Sequence, residues 1–275
     1  MPAAPPDPPA QSDPQPLPRD FASRDALVAF CRDRFPAADA AHPAVSDTPG
    51  GRPRALARLG AIDLAQYART RNALDGGVTR LSPYLHHGVL TLAEVRDVAV
   101  DQGQGGARPG KFVQELAWRD FFRRVLAELG TAVEDDLESW KTGLQDDDYA
   151  YELPNDLLAG ETGVDFVDAS VRELYDTGYL HNQMRMKLAA YVIHARRVHW
   201  KPAADWFLAH LLDGDLGSNH LSWQWVASTY SHKPYIFNNE NLAKVSGGRF
   251  TGGAGPLDPG PFAGSYDDVN QRLFG

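Results

Sequence analysis

The sequence predicts an all-α protein. Apolar residues recur at i, i+3, i+4 and i+7 through most of the chain, as in Leu116, Phe121, Phe122, Val125, Leu126 and Leu129. Period-two alternation is nearly absent, and nothing reads as an alternating βαβ unit. Gly130, Gly178 and Gly214 fall where periodic runs stop, as helix C-termini require.

Taken in order, residues 1–20 are Pro-rich and polar and are expected to form a disordered leader. Residues 21–45 form a short helical extension, with Ala26, Leu27, Phe30 and Cys31 at helical spacing between Arg24 and Phe35. Proline and glycine return between Pro43 and Pro53. A helical domain is then expected over 46–245, with helices at 55–72, 83–102, 110–129, 165–177, 180–198, 202–212 and 222–229. The tail, 246–275, is rich in Gly and Pro and predicted to be loose.

A chain of 275 residues can bury a substantial core, and 43% hydrophobic content is ordinary for a globular protein. The single cysteine, Cys31, excludes an internal disulfide framework and a multi-Cys zinc site, and no metal is expected. Cysteine usage suits a reducing cytosol, so the expected location is cytoplasmic. No apolar run approaches the roughly 20 residues of a membrane span, and the first residues lack the pattern of a signal peptide. The net charge of −9 argues against coating duplex DNA by charge alone, while leaving room for a local basic patch.

Asp213 to Trp225, DGDLGSNHLSWQW, puts two acids, an amide, a histidine and two indoles beside an apolar run. Large rings must be buried or covered, and buried acids need donors. A flat ligand rich in N–H and O–H groups meets both demands, and so does an ordinary core. Gly76 to Leu85 places a flexible diglycine and hydroxyls ahead of a helix, with Ser82 as N-cap and Pro83 as first helical residue. Free N–H groups there attract anions, although a plain capped helix satisfies the same residues. Glu115, Trp118 and Arg119 share one helix face, as do Asn182, Arg185 and Met186. Either set can form a polar, stacking wall or a surface ion pair beside a core residue, and Asp213 is a candidate partner for Arg185.

The strings TRLSPYL, QELAWRDFF, ETGVDFVDASVRELYDTGYLHNQMRM and DGDLGSNHLSWQWVAST, in this order, resemble the FAD-binding helical domain of the DNA photolyase and cryptochrome family. The resemblance runs from Ala55 to Asn238. It implies that Tyr67, Thr79, Arg80, Leu81 and Ser82 hold the phosphate and ribityl region of FAD, with Val78 replacing a hydroxyl common in the family. It implies that Arg119 lies beside the flavin. Asn182, Arg185, Asp213, Asp215 and Asn219 would surround the flavin ring and adenine. Glu115, Trp118, Asn182, Met186 and Trp225 match residues that contact a flipped-out pyrimidine dimer. Trp223 and Trp200 match the inner and middle members of an electron-supplying tryptophan chain.

The resemblance therefore implies light-dependent repair of cyclobutane pyrimidine dimers by electron transfer from photoexcited reduced FAD. A dimer inside a duplex is out of reach, so photolyases work by base flipping, and a pocket lined by aromatic rings suits that step. Glu115, in a poor dielectric, would hydrogen-bond the pyrimidine carbonyls. Asn182 and Met186 favour the cyclobutane dimer, because relatives that repair (6-4) photoproducts carry histidines at both positions.

Departures from the family pattern sharpen the expectation. Too few residues precede the helical domain for the family's α/β antenna domain, so no antenna chromophore is expected within this chain. Gln183 stands where an arginine often contacts DNA phosphate, which favours single-stranded DNA as partner. No tryptophan lies near Asp147 for the outer electron donor, leaving Tyr149, Tyr151 and Trp140 as alternatives. A monomer is expected. The alternative function is a cryptochrome-like blue-light photoreceptor without repair activity. His220 has no role in either reading.

Overall fold

The computed structural model describes residues 18–41, 46, 48–104, 110–255 and 258–275. They belong to two units, 1–45 and 46–275. In the first, α1 (Arg24–Arg34) starts where the Ser23 hydroxyl accepts from the Ala26 N–H at 3.1 Å, and α2 (Pro36–Ala41) follows. Helix α1 has no buried residue. Most of the predicted leader lies outside the described residues.

The second unit is all-α, as predicted: among the described residues the only β pairing is two isolated bridges, Ala150–Val198 and Gly255–Asp258. The expected helix at 55–72 is two, α3 (Arg52–Gly60) and α4 (Leu64–Thr70). The break comes from Asp63, whose carboxylate accepts from the Gln66 N–H at 2.8 Å and starts a new helix. The expected helix at 83–102 likewise divides into α5 (Ser82–His86) and α6 (Leu92–Gln104). Gly88 turns the chain at φ 67°, and Thr91 with Glu94 forms a reciprocal capping box, with N–H···O distances of 2.8 and 3.2 Å.

Helix α7 (Gly110–Leu129) and, after the short α8 (Asn155–Ala159), α9 (Asp165–Thr177) have their predicted bounds. Gly178 closes α9 at φ 66°, where a side chain would be strained. Helix α10 (Asn182–Ala190) passes into a π turn, Tyr191–Ala195, short of the predicted end at 198. Arg197 then adopts φ 54°, and the backbone leaves helical geometry to pair with Ala150, which donates to the Arg197 carbonyl at 2.7 Å.

Helix α11 (Trp200–His210) is followed by α12 (Leu216–Ala227), which begins before the predicted 222 because Asp215 caps it, accepting from the Ser218 N–H at 3.0 Å. Gly214 is not a helix cap: a Cβ there would meet the Leu208 carbonyl oxygen at 2.9 Å, so close approach is what requires glycine.

The tail corrects the sequence reading most clearly. After α13 (Asn239–Ser246), the described residues of the tail, 247–255 and 258–275, pack back on the helices and end in α14 (Tyr266–Phe274). Phe262, Val269 and Leu273 are buried, and Phe262 stacks on Phe237 with centroids 4.0 Å apart. Asp165 fixes the start of the tail by accepting from the Thr251 and Gly252 N–H groups at 2.7 and 3.1 Å. Apolar side chains spaced among the glycines outweigh the local looseness of the composition.

Two apolar cores result. The larger joins α9, α10, α11, α12 and the tail around Phe166, Trp200 and Phe207. The smaller joins α3 to α7 around Leu64, Leu81 and Phe112. Helix α7 also packs on α12 so closely that a Cβ on Gly217 would meet the Phe122 carbonyl at 2.8 Å. Between the two cores lies the cavity described next.

Candidate functional site: a two-lobed cavity

The first lobe has a volume of about 290 Å³ and is walled by α4, the 78–82 segment, α7 and the start of α10. Tyr67, Thr79, Arg80, Leu81, Ser82, Glu115, Arg119, Asn182, Arg185 and Asp213 all line it, together with Arg71, Phe112 and Tyr179. The diglycine leading into it is a close approach rather than a flexible hinge. A Cβ on Gly76 would collide with the Thr70 carbonyl oxygen, and the Gly77 N–H donates to the Thr70 hydroxyl at 2.9 Å. Arg80 follows at φ 50°, a costly conformation for a long side chain, with its guanidinium 4.8 Å over the Tyr179 ring. Ser82 is not the N-cap expected from sequence. It lies inside the first turn of α5, and its hydroxyl turns to Asp213.

Asp213 is the charged pivot. Both its oxygens accept from Arg185 Nη2, at 3.0 and 2.9 Å. Burial pushes the Asp213 carboxyl up, but the Arg185 charge and the hydrogen bonds from Arg185 and Ser82 outweigh it and hold the group below its ordinary value. Asp215 has two tasks: one oxygen caps α12, and the other accepts from Arg119 Nη2 at 3.3 Å.

The second lobe is larger, about 610 Å³, and its walls are mostly apolar. Trp118 and Trp225 stand at its sides with 48% and 41% of their surface exposed, an unusual amount for two indoles. Met186, Trp223, Asp215 and Asn219 complete the predicted set, and Phe121, Phe122, Phe207 and Ser218 join them. Asn219 is buried and held by donating to the Ala204 carbonyl at 2.9 Å. Glu115, Asn182, Arg185 and Asp213 line both lobes, so the lobes form one cavity.

Trp200, expected as the middle member of the tryptophan chain, is fully buried in the larger core that also holds Trp223, and does not line the cavity. One expectation changes. Glu115 is not in a poor dielectric. Its side chain is 36% exposed, and Lys111 and Arg71 approach it at 3.0 and 3.4 Å. His220, which sequence left unassigned, is buried, within 3.1 Å of Asp205 and edge-on to Trp200. Arg71, Phe112 and Phe207 were missed. Arg71 alone had a local signal, lying one helical turn beyond Tyr67.

The residues fit the FAD that the resemblance implies. Four cations (Arg71, Arg80, Arg119 and Arg185) line the smaller lobe and suit phosphate oxygens. Arg119 Nε is buried there without a hydrogen-bond partner, a donor awaiting an acceptor. The larger lobe offers aromatic and apolar walls with acids and amides at one end, as a flat ring with N–H and carbonyl edges requires.

Comparison with known proteins agrees. Residues 112–247 match the family model described as the FAD binding domain of DNA photolyase. Deoxyribodipyrimidine photo-lyases are similar: that of Streptomyces griseus is 37% identical over 60% of this chain and 36% of its own length. That of Thermus thermophilus is 38% identical over 64% and 42%, and that of Halobacterium salinarum 30% identical over 82% and 50%. The chain thus spans half or less of the length of these relatives.

Among solved structures, a class III photolyase from Agrobacterium tumefaciens superposes with a TM-score of 0.60 at 28% identity, over 72% of this chain and 43% of that one. A photolyase from Sulfolobus tokodaii with two FAD molecules gives 0.61 at 26%, over 83% and 51%. A Synechocystis cryptochrome shares the fold, at 0.65 and 24% identity, over 83% and 52%. Residues 112–247 thus belong to the FAD-binding domain family of DNA photolyase, on a fold shared with cryptochromes.

Proposed function

We propose that this chain is a deoxyribodipyrimidine photolyase, a carbon–carbon lyase that splits cyclobutane pyrimidine dimers in DNA. The observation that carries the reading is the pair of exposed indoles, Trp118 and Trp225, facing a cavity that ends in the Arg185–Asp213 pair. Exposed indoles beside a deep cavity are costly unless a planar partner covers them, and a flipped pyrimidine pair is such a partner. Bound and excited, the flavin supplies the electron that opens the dimer. Arg119, with its unpartnered Nε, and Arg185 hold the cofactor. Trp118, Met186 and Trp225 hold the lesion, and Glu115, steadied by Lys111 and Arg71, meets the pyrimidine edge where the lobes join.

Single-stranded DNA is the preferred substrate in this reading. Gln183 donates to Asn72 Oδ1 at 3.3 Å in place of a phosphate-binding cation, and the chain carries a net charge of −9. The experiment is blue-light repair by FAD-loaded, reduced protein on dimer-containing oligothymidine and on duplex. Repair faster on oligothymidine is expected. Equal rates sink the strand preference, and intact dimers in both substrates sink the repair reading in favour of a photoreceptor.

A further inference from the structure

Outside the cavity lining, the loop carrying Trp140 and the chain entering α11 bring several aromatic rings around one carboxylate. The Trp200 indole N–H donates to Asp136 Oδ1 at 2.5 Å, and the Trp140 indole N–H donates to Asp136 Oδ2 at 2.6 Å. One carboxylate therefore clasps both indoles and keeps their nitrogens within about 7 Å of each other. Trp200 is fully buried in the core that also holds Trp223, whereas Trp140 is half-buried and reaches solvent. We infer that Trp140 is the surface electron donor for Trp200 and Trp223, with Asp136 as the positioning residue that couples the two indoles and accepts a proton. This inference rests on the flavin reading above.

The chemistry follows from the clasp. An indole that loses an electron becomes cationic, and its N–H becomes a strong acid. A carboxylate already hydrogen-bonded to that N–H stabilises the cation and takes the proton without rearrangement. Trp223 gives an electron to the excited flavin, Trp200 refills Trp223, and Trp140 refills Trp200. Oxidised Trp140 then passes its Nε1 proton to Asp136 and is left as a neutral indolyl radical. A thiol in solution returns the electron, and Asp136 returns the proton.

The neighbouring phenols are less suited to this role. The Tyr149 ring stacks on Trp140 at 4.2 Å, but its hydroxyl faces the Thr142 hydroxyl at 3.3 Å rather than a carboxylate. Tyr151 donates to Asp146 at 2.8 Å, yet its contact with Trp200 runs through the His199 ring, which is harder to oxidise than an indole. Nor is the Asp136, Asp146 and His199 cluster a cation site. His199 Nδ1 accepts from the Lys201 N–H at 3.1 Å, so Nε2 carries the hydrogen and points it at Asp146, 3.2 Å away.

The test uses the full chain loaded with FAD, under anaerobic blue light with dithiothreitol, together with proton–nitrogen spectra of the indole N–H groups in flavin-free protein. Trp140→Phe is expected to slow flavin photoreduction about ten-fold or more at unchanged flavin content, with Tyr149→Phe and Tyr151→Phe within about two-fold of the parent. Asp136→Asn is expected to slow photoreduction and to move both the Trp140 and Trp200 indole resonances. Parent-like photoreduction by Trp140→Phe overturns the inference. So does slowing confined to a tyrosine variant, or an Asp136→Asn spectrum in which either indole stays in place. A parent chain that takes up no FAD overturns the flavin reading itself and this inference with it, whereas a photoreducing parent isolates the failure to Trp140.

Discussion

Three arginines that line the smaller lobe of the cavity are paired before any ligand arrives: Arg185 with Asp213, Arg119 with Asp215, and Arg71 with Glu115. In the larger lobe, indole surface is left uncovered at Trp118 and Trp225. The first arrangement suits a resident ligand, because its binding groups are held in place by one another. The second suits a visitor, because covering exposed rings releases free energy only when that visitor is present. The same contrast recurs within α10, where Arg185 has a carboxylate partner and the buried Lys187 meets, among the described residues, Gln183 Oε1 at 3.3 Å and the Phe237 ring.

Arg185→Met breaks the comparison most severely. It leaves Asp213 buried and unpaired, a change that typically costs about 3–5 kcal/mol. Flavin content of the purified protein should collapse, and denaturant titration should show the stability loss. The pair also sets an acid limit. Because the Asp213 carboxyl is held below its ordinary value of 3.8, its stabilisation is complete above that pH and is lost as pH falls through the lower folded value. In the variant, burial is left to push the Asp213 carboxyl up, so the sign reverses: the stability deficit should shrink as pH falls and Asp213 takes up a proton.

Lys187→Met tests the contrast from the other side, with an effect of opposite sign. Burial drives the Lys187 ammonium down to about 8 from 10.5, a penalty on the order of 3 kcal/mol whenever both states are charged. Below pH 8 the penalty is fully present; between 8 and 10.5 the folded state sheds its proton first, so stability rises with pH. The variant should be more stable at pH 7 and should lose that slope. An unchanged pH–stability profile would show that Lys187 is solvated in solution.

Trp225→Ala addresses the visitor's lobe. Stacking on one base is worth about 1–3 kcal/mol, so affinity for dimer-containing oligonucleotide should fall roughly 5- to 150-fold. Flavin content should change far less than dimer affinity, since Trp225 does not line the smaller lobe, where four arginines suit the cofactor's phosphates. Fluorescence anisotropy with a labelled oligothymidine dimer separates the two. A loss of flavin instead would mean that the lobes are not independent.

How much of this was legible from sequence depends on how local each cause is. Helices α7 and α9 were readable because periodicity and a stopping glycine coincide. The splits at Asp63 and Thr91–Glu94 lie inside periodic runs, where caps look like ordinary polar positions. Helix α14 was hidden in a Gly-rich tail, although Ser265 and Asp268 form a capping box there. Asn182, Arg185 and Met186 were placed on one face by spacing alone, and all three line the cavity. Phe207 and Phe112 reach it only because α11 and α7 are packed as they are. In the clasp by Asp136, Trp140 is only four residues away, but Trp200 is 64 away and that half has no local signature.

Asp215→Asn should give the smallest effect and the finest separation at the polar end of the cavity. Asparagine caps helices as well as aspartate does, so the Ser218 N–H keeps an acceptor and α12 should keep its stability within about 0.5 kcal/mol. What is lost is the charge facing Arg119, whose guanidinium is held below its ordinary range by burial and supported by Asp215. Arg119, with Nε already unpartnered, then carries an uncompensated charge into the cavity. A bound pyrophosphate would gain from that charge, whereas a flavin edge that donates to Asp215 would lose an acceptor. Flavin titration therefore reports which part of the cofactor Asp215 faces. Tighter binding places the phosphates beside the Arg119–Asp215 pair, and a few-fold weaker binding places the ring system there.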